Sequence, residues 1–331
     1  MAHSTEPRWI TRIDGGWRCG LCPHHCLWTP ENPTGKCRIR GLRDGVPALP
    51  GWGGCVSLAI DPVEKKPLYH FHPGASVLST GPAGCNLSCS FCQNWEISQR
   101  ESSTRLVQPE DLVGMALSRG SGGMAFTYTE PTIWFEYVMA TAPLVREAGG
   151  FTVMVSNGYV ESGPLDEYLK VINAWNIDLK GWSDRFYPEF CGASIKPVLA
   201  SIEKVAASGS HLEVTFLVIP GLNDDPREWE AMGSWLASHA GRRTPLHVSR
   251  YFPRYRLETP PTPLETISRA VESFRAHLDF VYPGNVAGEE NTLCPSCGAL
   301  LIRRSGYAVE KAGISGGRCI GCGADAGVVQ T

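Results

Sequence analysis

The sequence predicts an α/β protein with a partial (β/α)6 barrel at its core, a Cys-rich extension before it and a ribbon-like cysteine module after it. Three observations predict this. Between residues 75 and 290, apolar strand-like runs alternate with stretches of helical periodicity, the pattern of parallel βαβ units. A loop carrying three cysteines follows the first of these strands, and eight of the other ten cysteines form two sets of four, one near each end. The expected division is 1–74 for the N-terminal metal-binding extension, 75–290 for the barrel and 291–331 for the C-terminal module.

In chain order, Asp61-Pro62 marks a turn, and the charged run Glu64-Lys65-Lys66 reads as a solvated turn. Residues 77–79 form a short buried strand leading into the cysteine loop. Helices are expected at 109–119 and 131–147, each opened by a proline whose missing N–H costs nothing there, and at 164–173, 196–207, 226–239 and 264–277. Strands are expected at 124–128, 151–156, 175–179, 212–219, 246–249 and 280–282. In such barrels, sites gather at the carboxyl ends of the strands.

The 331 residues are 43% hydrophobic, enough for a sizeable core, and the net charge of −3 gives no electrostatic reason to expect nucleic-acid or membrane binding. The N-terminus lacks the apolar segment of a secretory signal, and no apolar run reaches the length of a membrane span. A cytoplasmic protein is expected. Thirteen cysteines in that compartment point to metal ligation rather than disulfides. Cys55 and Cys191 stand alone and read as small buried apolar residues.

Cys85, Cys89 and Cys92 are spaced C-x3-C-x2-C, with Phe91 before the last and Gly84 before the first. Three thiolates so close hold three irons of a [4Fe-4S] cluster and leave one iron open. S-adenosylmethionine, which offers an amino and a carboxylate group, is the ligand that spacing suggests. Structural zinc prefers paired C-x2-C knuckles to a lone triplet. In the extension, Cys19, Cys22, Cys26 and Cys37 are spaced C-x2-C-x3-C-x10-C. They suit either a four-cysteine zinc site or a second iron–sulfur cluster, with His24 and His25 as alternative ligands; an unligated loop is the third reading. At the C-terminus, Cys294, Cys297, Cys319 and Cys322 form two C-x2-C-G knuckles 21 residues apart, the zinc-ribbon pattern with a structural Zn2+.

At the expected strand ends, Ser156 and Asn157 offer short polar side chains beside a turn glycine. Asp178 and Lys180 alternate with apolar residues, so both point into the barrel, where a charged pair is costly unless it binds something. Arg250 follows the sixth strand as a candidate carboxylate contact.

The cysteine loop resembles that of the radical SAM enzymes. With DPVEKKPLYHF, TYTEPTIW, SNGY, NIDLKG, VIPGLND, SRYFP and the two terminal cysteine sets, nearly the whole chain resembles the radical SAM protein of the AmmeMemoRadiSam system, related to pyruvate formate-lyase activating enzymes. The resemblance implies that Thr129 and Glu130 receive the methionyl ammonium of SAM, with Tyr128-Thr129 where the family often has paired glycines, and that Lys180 meets its carboxylate. It implies reductive cleavage of SAM to methionine and a 5′-deoxyadenosyl radical, and an electron donor such as flavodoxin or ferredoxin. Memo-like and AMMECR-like proteins are the implied partners. Glycyl radical enzyme activation and a non-catalytic iron–sulfur and zinc scaffold are the alternatives. The activases tend to have His where Phe252 stands and Asp where Val155 stands, so their cofactor contacts are not carried over whole.

Overall fold

A computed structural model describes residues 6–330. Its core is one eight-stranded sheet. Strand β1 (Ala59–Pro62) is antiparallel to β2 (Ser76–Thr80), and from there the sheet is parallel and in sequence order. The strands that follow are β3 (Gly123–Phe126), β4 (Phe151–Ser156), β5 (Ala174–Asp178), β6 (His211–Val218), β7 (Leu246–Arg250) and β8 (Val281–Gly284). Helices α1 (Pro109–Ser118), α2 (Phe135–Glu147), α3 (Ser162–Tyr168), α4 (Lys196–Ala207), α5 (Pro226–Leu236) and α6 (Leu264–Arg275) fill the crossovers from β2 to β8. Six strand–helix units in sequence order make the expected partial barrel. Strands such as Gly123–Phe126 are buried at every position, because a parallel sheet with helices over it has no solvated face.

Most elements fall within two or three residues of expectation, but two readings are corrected. Asp61-Pro62 is not a turn: it ends strand β1, paired with β2. Nor is Glu64-Lys65-Lys66 solvated throughout: Lys65 is exposed, but its two neighbours are not. Lys66 is buried and donates from Nζ to Asp61 Oδ2 at 2.7 Å, and Glu64 is buried and accepts from the Gly74 N–H at 2.8 Å. A buried ammonium is tolerated only beside a carboxylate, which Asp61 supplies. The helix expected from residue 131 begins as a tight turn, Pro131–Trp134, before α2.

The extension adds a three-stranded antiparallel sheet (Ile10–Ile13, Gly16–Cys19, Leu27–Trp28) and a hairpin (Gly41–Arg43, Val46–Ala48). It is pinned to α2 by a buried ion pair, Arg40 Nη1 to Glu136 Oε2 at 2.5 Å. The C-terminal module has its own small apolar core around Leu301, Ile302 and Ile314. Buried Arg304 ties it to the segment before β2: it donates to the Tyr69 carbonyl and, within the module, to Thr292 Oγ1 at 2.7 Å. Among the described residues, no helix is long and apolar enough to cross a membrane.

Beneath that junction lies a buried polar cluster. Glu213 accepts from His247 at 2.7 Å, from His211 at 3.0 Å and from the His70 backbone N–H at 2.7 Å. The His70 ring shares a 2.7 Å hydrogen bond with the Tyr282 hydroxyl. Burial holds the His70 imidazole neutral, lowering its pKa to about 3. The unfolded chain takes up a proton on this ring below about pH 6.5, and the folded chain does not until about pH 3. Stability should therefore fall as pH drops through that window, by up to about 1.4 kcal/mol per unit. Urea unfolding between pH 7 and 4 should show a shallower decline for His70→Gln than for the natural chain; parallel slopes would rule the ring out as the source.

Candidate active site

The cysteine loop leaves the carboxyl end of β2 and is tied down along its length. Ser88 N–H donates to the Cys191 carbonyl and Ser90 N–H to the Phe190 carbonyl, both at 2.9 Å, while Gln99 Nε2 holds the Leu87 carbonyl at 2.9 Å. Gly84 sits at φ +143, and a Cβ there would run into the Cys37 carbonyl oxygen. That is why glycine precedes Cys85: the loop must press against the extension.

Cys85, Cys89 and Cys92 all line one cavity of about 240 Å³ at the carboxyl ends of the strands. Cys85 Sγ accepts from Leu87 N–H at 3.3 Å and from Asn157 Nδ2 at 3.6 Å, and Cys92 Sγ shares a hydrogen bond with Ser98 Oγ at 3.2 Å. Burial pushes the Cys85 and Cys92 thiols up, whereas a hydrogen bond from Cys191 holds the Cys89 thiol down. Three soft donors around one cavity, already receiving N–H bonds to sulfur, fit the ligand set of an iron–sulfur cluster with an open iron.

Asp178 and Lys180 enter the same cavity from the end of β5, joined by a 2.9 Å ion pair. Burial alone would lower the Lys180 pKa, but Asp178 and the Cys89 and Cys191 sulfurs hold it well above the ordinary lysine value. A permanent cation thus stands beside the cysteines. Thr129 and Asn157 also line the cavity.

Glu130 does not. It is fully buried behind the wall, and its carboxylate accepts from Thr132 N–H and Oγ1, Ser156 Oγ and Asn157 N–H at 2.7 to 3.0 Å. Ser156 is likewise turned to Glu130 and to the Gly158 N–H. The expected direct contacts from these two become support for Asn157, whose side chain touches Cys85. Arg250 lies outside the cavity lining, donating to the Thr262 carbonyl at 2.7 Å and packing over Phe252.

Two residues escaped the sequence reading. Tyr128 lines the cavity at φ +71, a left-handed backbone at the place where a glycine would be free of strain. Its hydroxyl donates to Asp61 Oδ2 at 2.9 Å and its ring lies under Lys66 Nζ at 4.8 Å, contacts that offset the strain. Cys191 is not alone: its thiol lies beside that of Cys89. The Tyr-Thr departure from glycine was the visible signal for the first; nothing in the sequence marked the second.

In the C-terminal module, Cys294, Cys297, Cys319 and Cys322 bring their sulfurs within 4.8 Å of one another, with close pairs at 3.6 and 3.7 Å. These four thiols could bind a metal ion.

The profile of the radical SAM superfamily matches residues 81–231. An uncharacterized protein of Methanocaldococcus jannaschii is 43% identical over 298 residues, covering 88% of each chain. The benzylsuccinate synthase activating enzyme of Thauera aromatica is 23% identical, over 66% of this chain and 67% of its own. Among solved structures, Streptococcus suis SuiB bound to S-adenosylmethionine aligns with a TM-score of 0.51 at 13% identity, over 65% of this chain and 50% of SuiB; that likeness is one of fold.

Because Glu130 accepts on both oxygens, Glu130→Gln turns one acceptor into a donor facing donors. We expect it to lower unfolding free energy by about 1–3 kcal/mol, read by urea titration. A variant as stable as the natural chain would mean that the carboxyl is protonated in the fold.

Proposed function

The chain belongs to the radical SAM superfamily, and on that premise we propose that it cleaves S-adenosylmethionine reductively at a [4Fe-4S] cluster held by Cys85, Cys89 and Cys92. Bound there, the cluster would supply one electron to the sulfonium, releasing methionine and a 5′-deoxyadenosyl radical for hydrogen abstraction. The observation that carries the reading is that the three cysteines share one cavity with the Asp178–Lys180 pair.

The chain's own groups divide the remaining work. Lys180 offers a cation for the methionyl carboxylate, and Asp178, already its partner, keeps it aimed into the cavity. Thr129 and Asn157 offer further polar contacts; Thr129 Oγ1 donates to the Pro82 carbonyl at 2.7 Å, and the Asn157 backbone is held by buried Glu130. The Tyr128 carbonyl takes a hydrogen bond from Asn94 Nδ2, which ties the far end of the cysteine loop to the end of β3. Apolar Leu87, Phe91 and Leu217 limit water on the cavity wall.

The same reading includes a structural Zn2+ at Cys294, Cys297, Cys319 and Cys322, where the 3.6 and 3.7 Å sulfur pairs match a tetrahedron with Zn–S of ~2.3 Å. It assigns residues 1–74, 75–290 and 291–331 to extension, barrel and ribbon, and places the protein in the cytoplasm with a flavodoxin or ferredoxin as electron donor. The order of motifs along the chain favours the AmmeMemoRadiSam system, with Memo-like and AMMECR-like proteins as partners. Similarity to an activating enzyme favours a polypeptide as the second reading of the substrate.

Anaerobic reconstitution with iron and sulfide, followed by SAM and dithionite, should yield methionine and 5′-deoxyadenosine, and replacing Cys85, Cys89 and Cys92 by Ala should abolish both. A reconstituted cluster that leaves SAM intact would overturn the assignment. Loss of one charge-assisted hydrogen bond costs about 1.5–3 kcal/mol. Lys180→Met should therefore keep its iron but bind SAM roughly ten- to a hundredfold more weakly, measured by titration under electron paramagnetic resonance. Unchanged affinity would remove Lys180 from the cofactor contacts.

A further inference from the structure

Outside the cavity of the cysteines lies a second pocket to which the proposed function gives no task. It has about 570 Å³ of free space and is lined by Gln93, Asn94, Phe252, Pro253, Arg254 and Asn285. Gln93, Asn94 and Asn285 also line the inner cavity, so the two spaces meet at these three amides. The outer volume falls in the range of small-molecule sites, roughly 300 to 1,000 Å³.

The wall carrying Phe252, Pro253 and Arg254 is the segment that follows β7, and it is tied to the cysteine loop. Arg256 N–H donates to the Ser90 carbonyl at 2.9 Å, and the Tyr255 ring stacks on Trp95 with centroids 5.2 Å apart and planes 14° from parallel. Asn285 Nδ2 donates to the Arg250 carbonyl at 3.1 Å. Tyr255 has φ +60 and Asn285 φ +57. With Tyr128 of the inner cavity they are three of the eight non-glycine residues at positive φ among the described residues. Left-handed backbone at side-chain-bearing residues persists where the surroundings over-determine it, and it gathers at ligand sites.

Charge decides what such a pocket takes. Of its six lining residues only Arg254 is charged, and among the described residues its side chain has no hydrogen bond or ion pair. Three more arginines stand near it, each laid on an aromatic ring: Arg250 over Phe252 at 4.9 Å, Arg256 over Tyr255 at 4.9 Å and Arg100 over Trp95 at 4.1 Å. A guanidinium stacked by its face keeps N–H donors along its edge, in the fork that matches a carboxylate or a phosphate. The carboxylates closest to them in the chain, Glu96, Glu101 and Glu258, are exposed and pair with none of the four. Cations left without counter-charge around one pocket draw anions to it. Beside them, Phe252 is 41% exposed and, with Pro253, offers apolar surface.

We propose that this outer pocket is the substrate subsite of the site described above and takes a small organic acid, with its carboxylate or phosphate on Arg254 and its apolar body against Phe252 and Pro253. Held there, the acid presents a C–H bond to the inner cavity past Gln93, Asn94 and Asn285. The bond breaks homolytically: the hydrogen atom completes 5′-deoxyadenosine, and the unpaired electron stays on the acid. This step rests on the proposed function, but binding of the anion does not.

Isothermal titration calorimetry on the reconstituted full chain tests the subsite, with phenyl phosphate, phenylacetate and uncharged benzyl alcohol as probes. One of the two acids should bind about tenfold or more tightly than the alcohol; phenyl phosphate in the lead assigns a phosphate, phenylacetate a carboxylate. Arg254→Gln should weaken that acid about tenfold or more and Phe252→Ala severalfold, while Lys180→Met should bind it as the natural chain does. Both Arg254 and Phe252 are exposed, so their replacement leaves the core packing alone. Acids that bind no better than the alcohol, or an affinity lost in Lys180→Met and kept in Arg254→Gln, would overturn the proposal. If the acid binds as expected and SAM is left intact, the proposed function fails and the anion subsite stands. If SAM is cleaved and neither acid binds, the subsite fails alone.

Discussion

The site depends on holding three cysteines of one loop around a single cavity. A short loop with one buried and two partly buried cysteines does not stay open unaided, since apolar burial favours collapse. The chain answers with backbone hydrogen bonds from the loop to residues 190 and 191 and with close contact between Gly84 and the extension. Lys180 adds a cation beside the sulfurs. Remove these supports and the sulfurs lose both their spacing and their charge balance.

A second layer supports the first. Glu130 organises Thr132, Ser156 and Asn157 from inside the barrel, and Asp61 gathers Lys65, Lys66 and Tyr128 from the sheet edge. Both carboxylates are buried and fully engaged, so each fixes backbone that faces the cavity without facing it itself. This is how a strained residue such as Tyr128 persists at φ +71: its side chain is anchored at the far end, and strain of order 1–3 kcal/mol is tolerated when surroundings over-determine the conformation.

The barrel was legible because parallel strands covered on both sides read as apolar runs, and because prolines such as Pro109, Pro131 and Pro226 mark helix starts. The three cysteine sets were legible from spacing alone, as was the shared direction of Asp178 and Lys180. What local pattern could not give was depth. Glu130 in a first helical turn and Lys66 in a charged run look exposed in a linear chain, and only the long-range partners Asn157 and Tyr128 bury them. Cys191 reached Cys89 by the same kind of contact, across a hundred residues of sequence that carry no sign of it.

The central claim is that the cysteine loop leaves one iron open for the amino and carboxylate groups of SAM. Electron–nuclear double resonance on the reduced protein, with SAM carrying a heavy nitrogen isotope in its amino group, tests it directly. The account predicts a hyperfine coupling from that nitrogen to the cluster, lost in the variant without Cys85, Cys89 and Cys92. A reduced cluster present in full yield with no coupling to the amino nitrogen would contradict it.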